Sequence, residues 1–272
     1  MSHRLRSSLV VVGGVAIAAA AVFVGLHSKP TEAATPAPVT LTSAALPQPV
    51  APSSWCGPGF ETVYGDTCYI DGRKNGEAHR TLVIWLHGVI GKTTTWSHDH
   101  QKMLLGFAKA SNIEMIFPKG ILADSVWAWP GTTESQERNE EALIEQWMIA
   151  KDKLEKREHH PYDETFIFGF SSGAYFASSL AMRGRVDVDG YAVFAGGQAM
   201  PAAPEPYTHF APVFVGICDD DPTGTANHAR AFTSSLAAAG IPFRASEENI
   251  GHDLSPTQFT SALAFLRRAH SM

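Results

Sequence analysis

Residues 81–86 (TLVIWL), 165–168 (TFIF) and 213–218 (VFVGIC) are nearly continuous apolar runs of strand length. A strand with one wet face alternates polar and apolar residues. A run without alternation must be covered on both faces, as in a mostly parallel sheet packed between helices. The intervening segments carry helical spacing. Helices are expected over 101–110, 134–157, 174–182, 228–239 and 256–269, with Leu143, Ile144, Trp147 and Met148 forming one apolar face of the longest. Gly240 follows the fourth as a stop signal. Further strands are expected over 114–117, ended by Pro118 and Gly120, and over 190–195. Strands and helices in this alternation define an α/β chain, a three-layer sandwich with helices on both faces of the sheet. No internal repeat is evident.

The first part of the chain reads differently. Arg4 and Arg6 precede an uncharged apolar run over 9–26, and small residues around Glu32-Ala33-Ala34 follow. Residues 1–34 are therefore expected to be a signal peptide or an N-terminal membrane anchor, since the run is about long enough to cross a bilayer. Residues 35–54, rich in Pro, Ala and Thr, are expected to form a linker, and 55–272 the folded domain. The expected location is secreted or periplasmic, or membrane-anchored and facing outward, with a possible membrane tether through the N-terminal segment. An oxidising compartment favours a disulfide between Cys56 and Cys68, which bracket a short Gly-rich loop. The third cysteine, Cys218, has apolar neighbours and reads as an inert buried thiol. The net charge of −6 comes without any Lys/Arg cluster, so nucleic-acid binding has no electrostatic footprint.

Chemistry concentrates at Gly169-Phe170-Ser171-Ser172-Gly173, where the 165–168 run gives way to small residues. A G-x-S-x-G sequence between strand and helix holds its serine on a strained turn, with the hydroxyl clear of the sheet edge. Such a serine needs a base, and the base needs an orienting acid. The order serine, acid, histidine is present. The 213–218 strand runs into Asp219-Asp220-Asp221-Pro222, and Gly251-His252-Asp253 precedes the last helix. Ser171 is read as nucleophile, His252 as general base and Asp221 as orienting acid, with Asp219 in reserve. The oxyanion donors are expected to be the backbone N–H groups of Ser172 and of Val89, in the His87-Gly88-Val89-Ile90-Gly91 loop. Trp127 and Trp129 either wall a substrate pocket or anchor their loop to the core. His98 and His100 flank Asp99 with no clear third ligand and read as loop residues; His159-His160 reads as an exposed helix end. No metal and no cofactor is expected.

With these segments in order, the chain resembles the α/β-hydrolase superfamily over about 80–272. Within it, LVIWLHG (82–88), FPKG (117–120) with the Trp-rich loop after it, and FIFGFSSGAYFA (166–177) look most like secreted esterases of the polyhydroxybutyrate depolymerase and feruloyl esterase type. In that group the acid strand commonly ends in His-Gly followed shortly by Asp-Pro. The Asp-Pro falls here on Asp221-Pro222, a second reason to prefer Asp221, while Ile217-Cys218 stands in place of His-Gly. Ser172 stands where these esterases often carry alanine. The resemblance implies an exported serine hydrolase acting on small-molecule or polymeric carboxylic esters. A peptidase or acyltransferase with the same triad, or a surface binding protein on the same scaffold, are the other readings.

Overall fold

The computed structural model describes residues 54–74, 78–92, 96–201 and 210–270. The expected signal or anchor segment and nearly all of the expected linker lie outside the described residues. No described helix is long and apolar enough to cross a membrane.

The chain opens with a hairpin, β1 (Glu61–Tyr64) and β2 (Thr67–Asp71), then enters β3 (Thr81–Leu86) and the short β4 (Ile90–Gly91). Helix α1 (Trp96–Ser111) leads to β5 (Glu114–Pro118), followed by β6 (Ile121–Ala123) and β7 (Val126–Ala128). The long helix α2 (Thr133–Glu158) precedes β8 (Glu164–Phe170), α3 (Ser172–Met182) and β9 (Gly190–Phe194). The chain ends with β10 (Val213–Cys218), α4 (Thr225–Ala239), β11 (Phe243–Glu248) and α5 (Pro256–His270).

The central sheet runs β1-β2-β5-β3-β8-β9-β10-β11. From β5 to β11 every pairing is parallel, whereas the β1–β2 hairpin adds its strands antiparallel at one edge. The unbroken apolar runs have the expected cause. In β3, Leu82, Ile84 and Leu86 point into one core with Trp147, Phe176 and Phe232, and Val83 and Trp85 into another with Phe194 and Phe259. Helices α2, α3 and α4 thus cover one face, and α1 and α5 the other, giving the three layers of an α/β-hydrolase fold. A small separate sheet, β4-β7-β6, is antiparallel and places the Trp127 loop beside the start of α1.

Strand β11 has no counterpart in the sequence reading. Its sequence FRASEE is polar and mostly exposed, because among the described residues it is the outermost strand of the sheet at that edge. Charged residues suit an unpaired edge and hide the strand from an apolar-run criterion.

At the N-terminal ends of the strands, the fully buried Glu114 carboxylate accepts from Arg80 Nε and Nη2 at 2.9 Å, Tyr69 Oη at 2.7 Å and Tyr162 Oη at 2.8 Å. A buried charge with this many partners ties β5 to β2, to the residue before β3 and to the residues after α2.

Cys56 and Cys68 form a disulfide, with Cα atoms 5.3 Å apart. It fastens the segment before β1 to β2, assisted by Gln101, which accepts from Gly57 N–H at 2.7 Å and donates to Trp55 O at 2.8 Å. Closing a loop of this size in the unfolded chain is worth about 3 kcal/mol. Denaturant unfolding of the double variant Cys56→Ser/Cys68→Ser is expected to show that loss; an unchanged midpoint would contradict it.

Candidate active site

Strand β8 ends at Phe170, and Ser171 turns the chain into α3 with φ 51° and ψ −116°. A positive φ on a serine is a strained conformation, retained because its surroundings fix it. The Ser171 N–H donates to Phe194 O at 3.0 Å, and the Gly173 N–H to His87 O at 3.1 Å. Both elbow glycines are required by close approach. A Cβ on Gly169 would lie 2.3 Å from Gly173 O, and one on Gly173 2.0 Å from Leu86 O. Strand and helix therefore meet backbone to backbone, and the serine side chain is left on the outside of the turn.

His252 Nε2 lies 2.9 Å from Ser171 Oγ, and His252 Nδ1 lies 2.5 Å from Asp221 Oδ2. The Asp221 side chain is fully buried, whereas His252 stays partly open. Burial acts to raise the Asp221 pKa. Hydrogen bonds from the Thr223 and Thr225 hydroxyls, from His252 and from the Thr223 N–H outweigh it and hold the carboxyl well below the usual carboxylate range. Asp221 is thus an ionised acceptor that orients the imidazole. Asp219 takes no part: its carboxylate is exposed and pairs with Arg230.

Sequence reasoning missed Thr223 and Thr225. Their signal is an Asp followed two and four residues later by threonine, an arrangement that lets a carboxylate collect bonds from the turn it begins. Cys218 is buried at the end of β10 and donates to Asp253 O at 3.3 Å, so the thiol tethers the loop that carries His252. Burial pushes this thiol up to about 11, in keeping with an inert role.

Val89 and Ser172 both border the pocket that holds Ser171, which also includes Trp129, Tyr175 and His228 and has a volume of about 520 Å³. Ser172 begins α3, where backbone N–H groups have no carbonyl partner within the helix. Its hydroxyl accepts the Trp129 N–H at 3.0 Å, so a serine here has a use that alanine lacks. A Cβ on Gly88 would come within 3.3 Å of the Ser171 Cβ, so the loop carrying Val89 lies directly over Ser171.

The two tryptophans part company. Trp129 lines the Ser171 pocket and is also locked into the core: its indole N–H donates to His87 O at 2.8 Å and its ring stacks on Phe176. Trp127 is not brought to this pocket. It borders separate clefts, with Lys119 Nζ 4.0 Å above its ring. Of the two readings offered for these tryptophans, a wall of this pocket does not fit Trp127: strand β7 ends at Ala128, so the alternation that would put both on one face stops between them.

His87, fully buried beneath the site, is a second group the sequence did not single out. Its Nδ1–H donates to Gly88 O at 2.5 Å, and its Nε2 accepts the Gly120 N–H at 2.9 Å. Both ring nitrogens are used only in the neutral form. Burial lowers its pKa to about 4, against the pull of the Gly88 carbonyl. In the unfolded chain a histidine titrates near 6.5. Unfolding therefore takes up a proton below that value, and stability is full above pH ~6.5 and falls as the pH drops toward 4. His87→Asn is expected to remove a component on the order of 3 kcal/mol from the acid loss of stability. Unfolding curves at pH 7 and pH 4.5 check this; equal pH dependence in variant and wild type would refute it.

His100 is buried among Trp85, Phe117 and Phe170, and burial pushes its pKa down to about 3. Both His98 and His100, read from the sequence as loop residues, lie instead in the first turns of α1, and His98 Nε2 is bonded to Ser54 O at 3.3 Å. Among the described residues no group of three or more His, Cys, Asp or Glu is arranged to hold a metal. His159 ends α2 in the left-handed conformation with φ 52°.

A mostly parallel sheet between two helical layers, with serine, acid and histidine at its C-terminal edge, defines an α/β-hydrolase. The chain belongs to the phospholipase/carboxylesterase family, which it matches over residues 73–270, and is a hydrolase of the serine carboxylesterase type. No curated protein matches the sequence. Similar solved structures include YahD with malic acid, at TM-score 0.57 and 16% identity, covering 75% of this chain and 98% of that one. A Bacillus cereus carboxylesterase is similar at TM-score 0.53 and 17% identity, covering 75% and 93%. A Mesorhizobium loti carboxylesterase is similar at TM-score 0.52 and 16% identity, covering 74% and 93%. At such identities the likeness is one of fold.

Proposed function

We propose that the chain is an exported serine esterase that cleaves carboxylic esters through an acyl-enzyme. The observation that carries this reading is the hydrogen-bonded series from Ser171 Oγ through His252 to the buried, ionised Asp221. Ser171 attacks the ester carbonyl as His252 takes its proton. The charge that develops on the carbonyl oxygen is met by the backbone amides of Ser172 and Val89. His252 then gives the proton to the leaving alcohol, and water activated by the same imidazole releases the acid. Every step moves a proton through His252, so no cofactor or metal is invoked.

The substrate is a small-molecule or polymeric ester. The FPKG segment (117–120), the tryptophan-bearing loop after it and the serine elbow support a likeness to the polyhydroxybutyrate depolymerase and feruloyl esterase type. Export is supported by the sequence of residues 1–34 and by the Cys56–Cys68 disulfide, which belongs to an oxidising compartment. The N-terminal segment serves as a cleaved signal or as a tether. Hydrolysis of p-nitrophenyl esters from acetate to palmitate tests the reading. Turnover of at least one member is expected, and failure with all of them would overturn it for simple esters.

A further inference from the structure

The Ser171 pocket is apolar on most of its wall, and its polar side is concentrated. Besides the two serines, the polar side chains among its described lining residues are Tyr175, Gln198 and His228. Tyr175 lies one helical turn beyond Ser171 on α3, and His228 lies near the start of α4. Tyr175 Oη and His228 Nδ1 are 2.5 Å apart, and the two rings meet edge-on. The triad uses neither residue.

The leaving oxygen of an ester must face His252 Nε2 to collect its proton. His252 is not among the residues that line this pocket, whereas Ser171 and both residues that carry the oxyanion amides, Ser172 and Val89, are. The pocket therefore takes the acyl side of the ester. On that side, the Tyr175–His228 pair always offers one free donor. If the Tyr175 O–H donates to Nδ1, the Nε2–H of His228 is left free. If the His228 Nδ1–H donates to the phenol oxygen, the Tyr175 O–H is left free. Burial, then the Asp221 charge, push the tyrosine pKa up, so the phenol keeps its proton.

We propose that Tyr175 and His228 form a specificity pair that selects acyl groups bearing a hydrogen-bonding oxygen a few carbons from the ester carbonyl, over plain hydrocarbon chains. The inference rests on the reading of Ser171 as nucleophile. An oxo or hydroxyl oxygen on the acyl chain accepts from this free donor, whereas a plain alkyl chain offers it nothing. One neutral hydrogen bond of this kind corresponds to roughly a tenfold preference.

The test compares kcat/KM for p-nitrophenyl 4-oxopentanoate with pentanoate, and 5-oxohexanoate with hexanoate, each value divided by the ester's rate with hydroxide. Wild type, Tyr175→Phe, His228→Ala and the double variant Tyr175→Phe/His228→Ala are compared, with Ser171→Ala alongside. At least one oxo-to-alkyl ratio of about ten is expected in wild type, falling toward one in the double variant, which removes both donors. A purely structural role would slow both esters together and leave the ratio alone. His228 is exposed and Tyr175→Phe removes a single hydroxyl, so the double variant is expected to fold, which its unfolding midpoint checks. Wild-type ratios near one, or a ratio unchanged in the double variant, overturn the proposal. Turnover that persists in Ser171→Ala breaks the underlying reading instead, and a flat ratio with Ser171-dependent turnover breaks only this one.

Discussion

Ser171→Ala is expected to give a folded protein whose ester turnover is lower by a factor on the order of 10⁴ or more. The side chain removed is small, and the backbone bonds that fix the elbow, from Ser171 N–H to Phe194 O and from Gly173 N–H to His87 O, do not involve the hydroxyl. Circular dichroism and the unfolding midpoint should therefore match wild type. The strained φ of residue 171 persists in the variant, so the fold keeps its cost while the hydroxyl is gone. Residual hydrolysis would come from the oxyanion amides and substrate binding alone. A variant that keeps more than a few per cent of wild-type kcat would place the nucleophile elsewhere.

The second large effect concerns the acid. Asp221→Asn is expected to lower kcat on the order of 10⁴-fold, because an amide can donate to His252 Nδ1 and so favour the wrong tautomer for accepting the serine proton. The hydroxyls of Thr223 and Thr225 and the Thr223 N–H are arranged to donate to a carboxylate, and an amide nitrogen in that place meets donors with a donor. Some stability is expected to be lost with the activity. Asp219→Asn breaks only an exposed pair with Arg230 and is expected to stay within a few-fold of wild type in kcat. Equal losses in the two variants would refute the assignment of Asp221.

What the sequence made legible follows from what each element must bury. Strands β3, β8 and β10 are covered on both faces and announce themselves as apolar runs. Strand β11 pairs along its whole length with β10 yet reads FRASEE, because only one side of it meets the sheet. The β4-β7-β6 sheet is built from pieces of two or three residues, too short to show any periodicity. At the site, the order of Ser171, Asp221 and His252 was readable because the chain must visit successive strand ends in turn. The choice between Asp219 and Asp221 turns on contacts that only the folded loop makes, with Arg230 on one side and Thr225 on the other. The buried His87 was written in the sequence as part of a glycine loop, with nothing to show that its ring would clamp Gly88 to Gly120. Likewise Tyr175 and His228 are far apart in the chain and become a pair only when α3 and α4 pack on the same face.

The most direct test of the central claim is covalent labelling with a fluorophosphonate, the modified residue being located by peptide mass spectrometry. One label on Ser171, formed only in folded protein and in step with the loss of esterase activity, is the expected result. Hydrolysis that survives stoichiometric labelling of Ser171, or a label carried by another serine, would contradict the account.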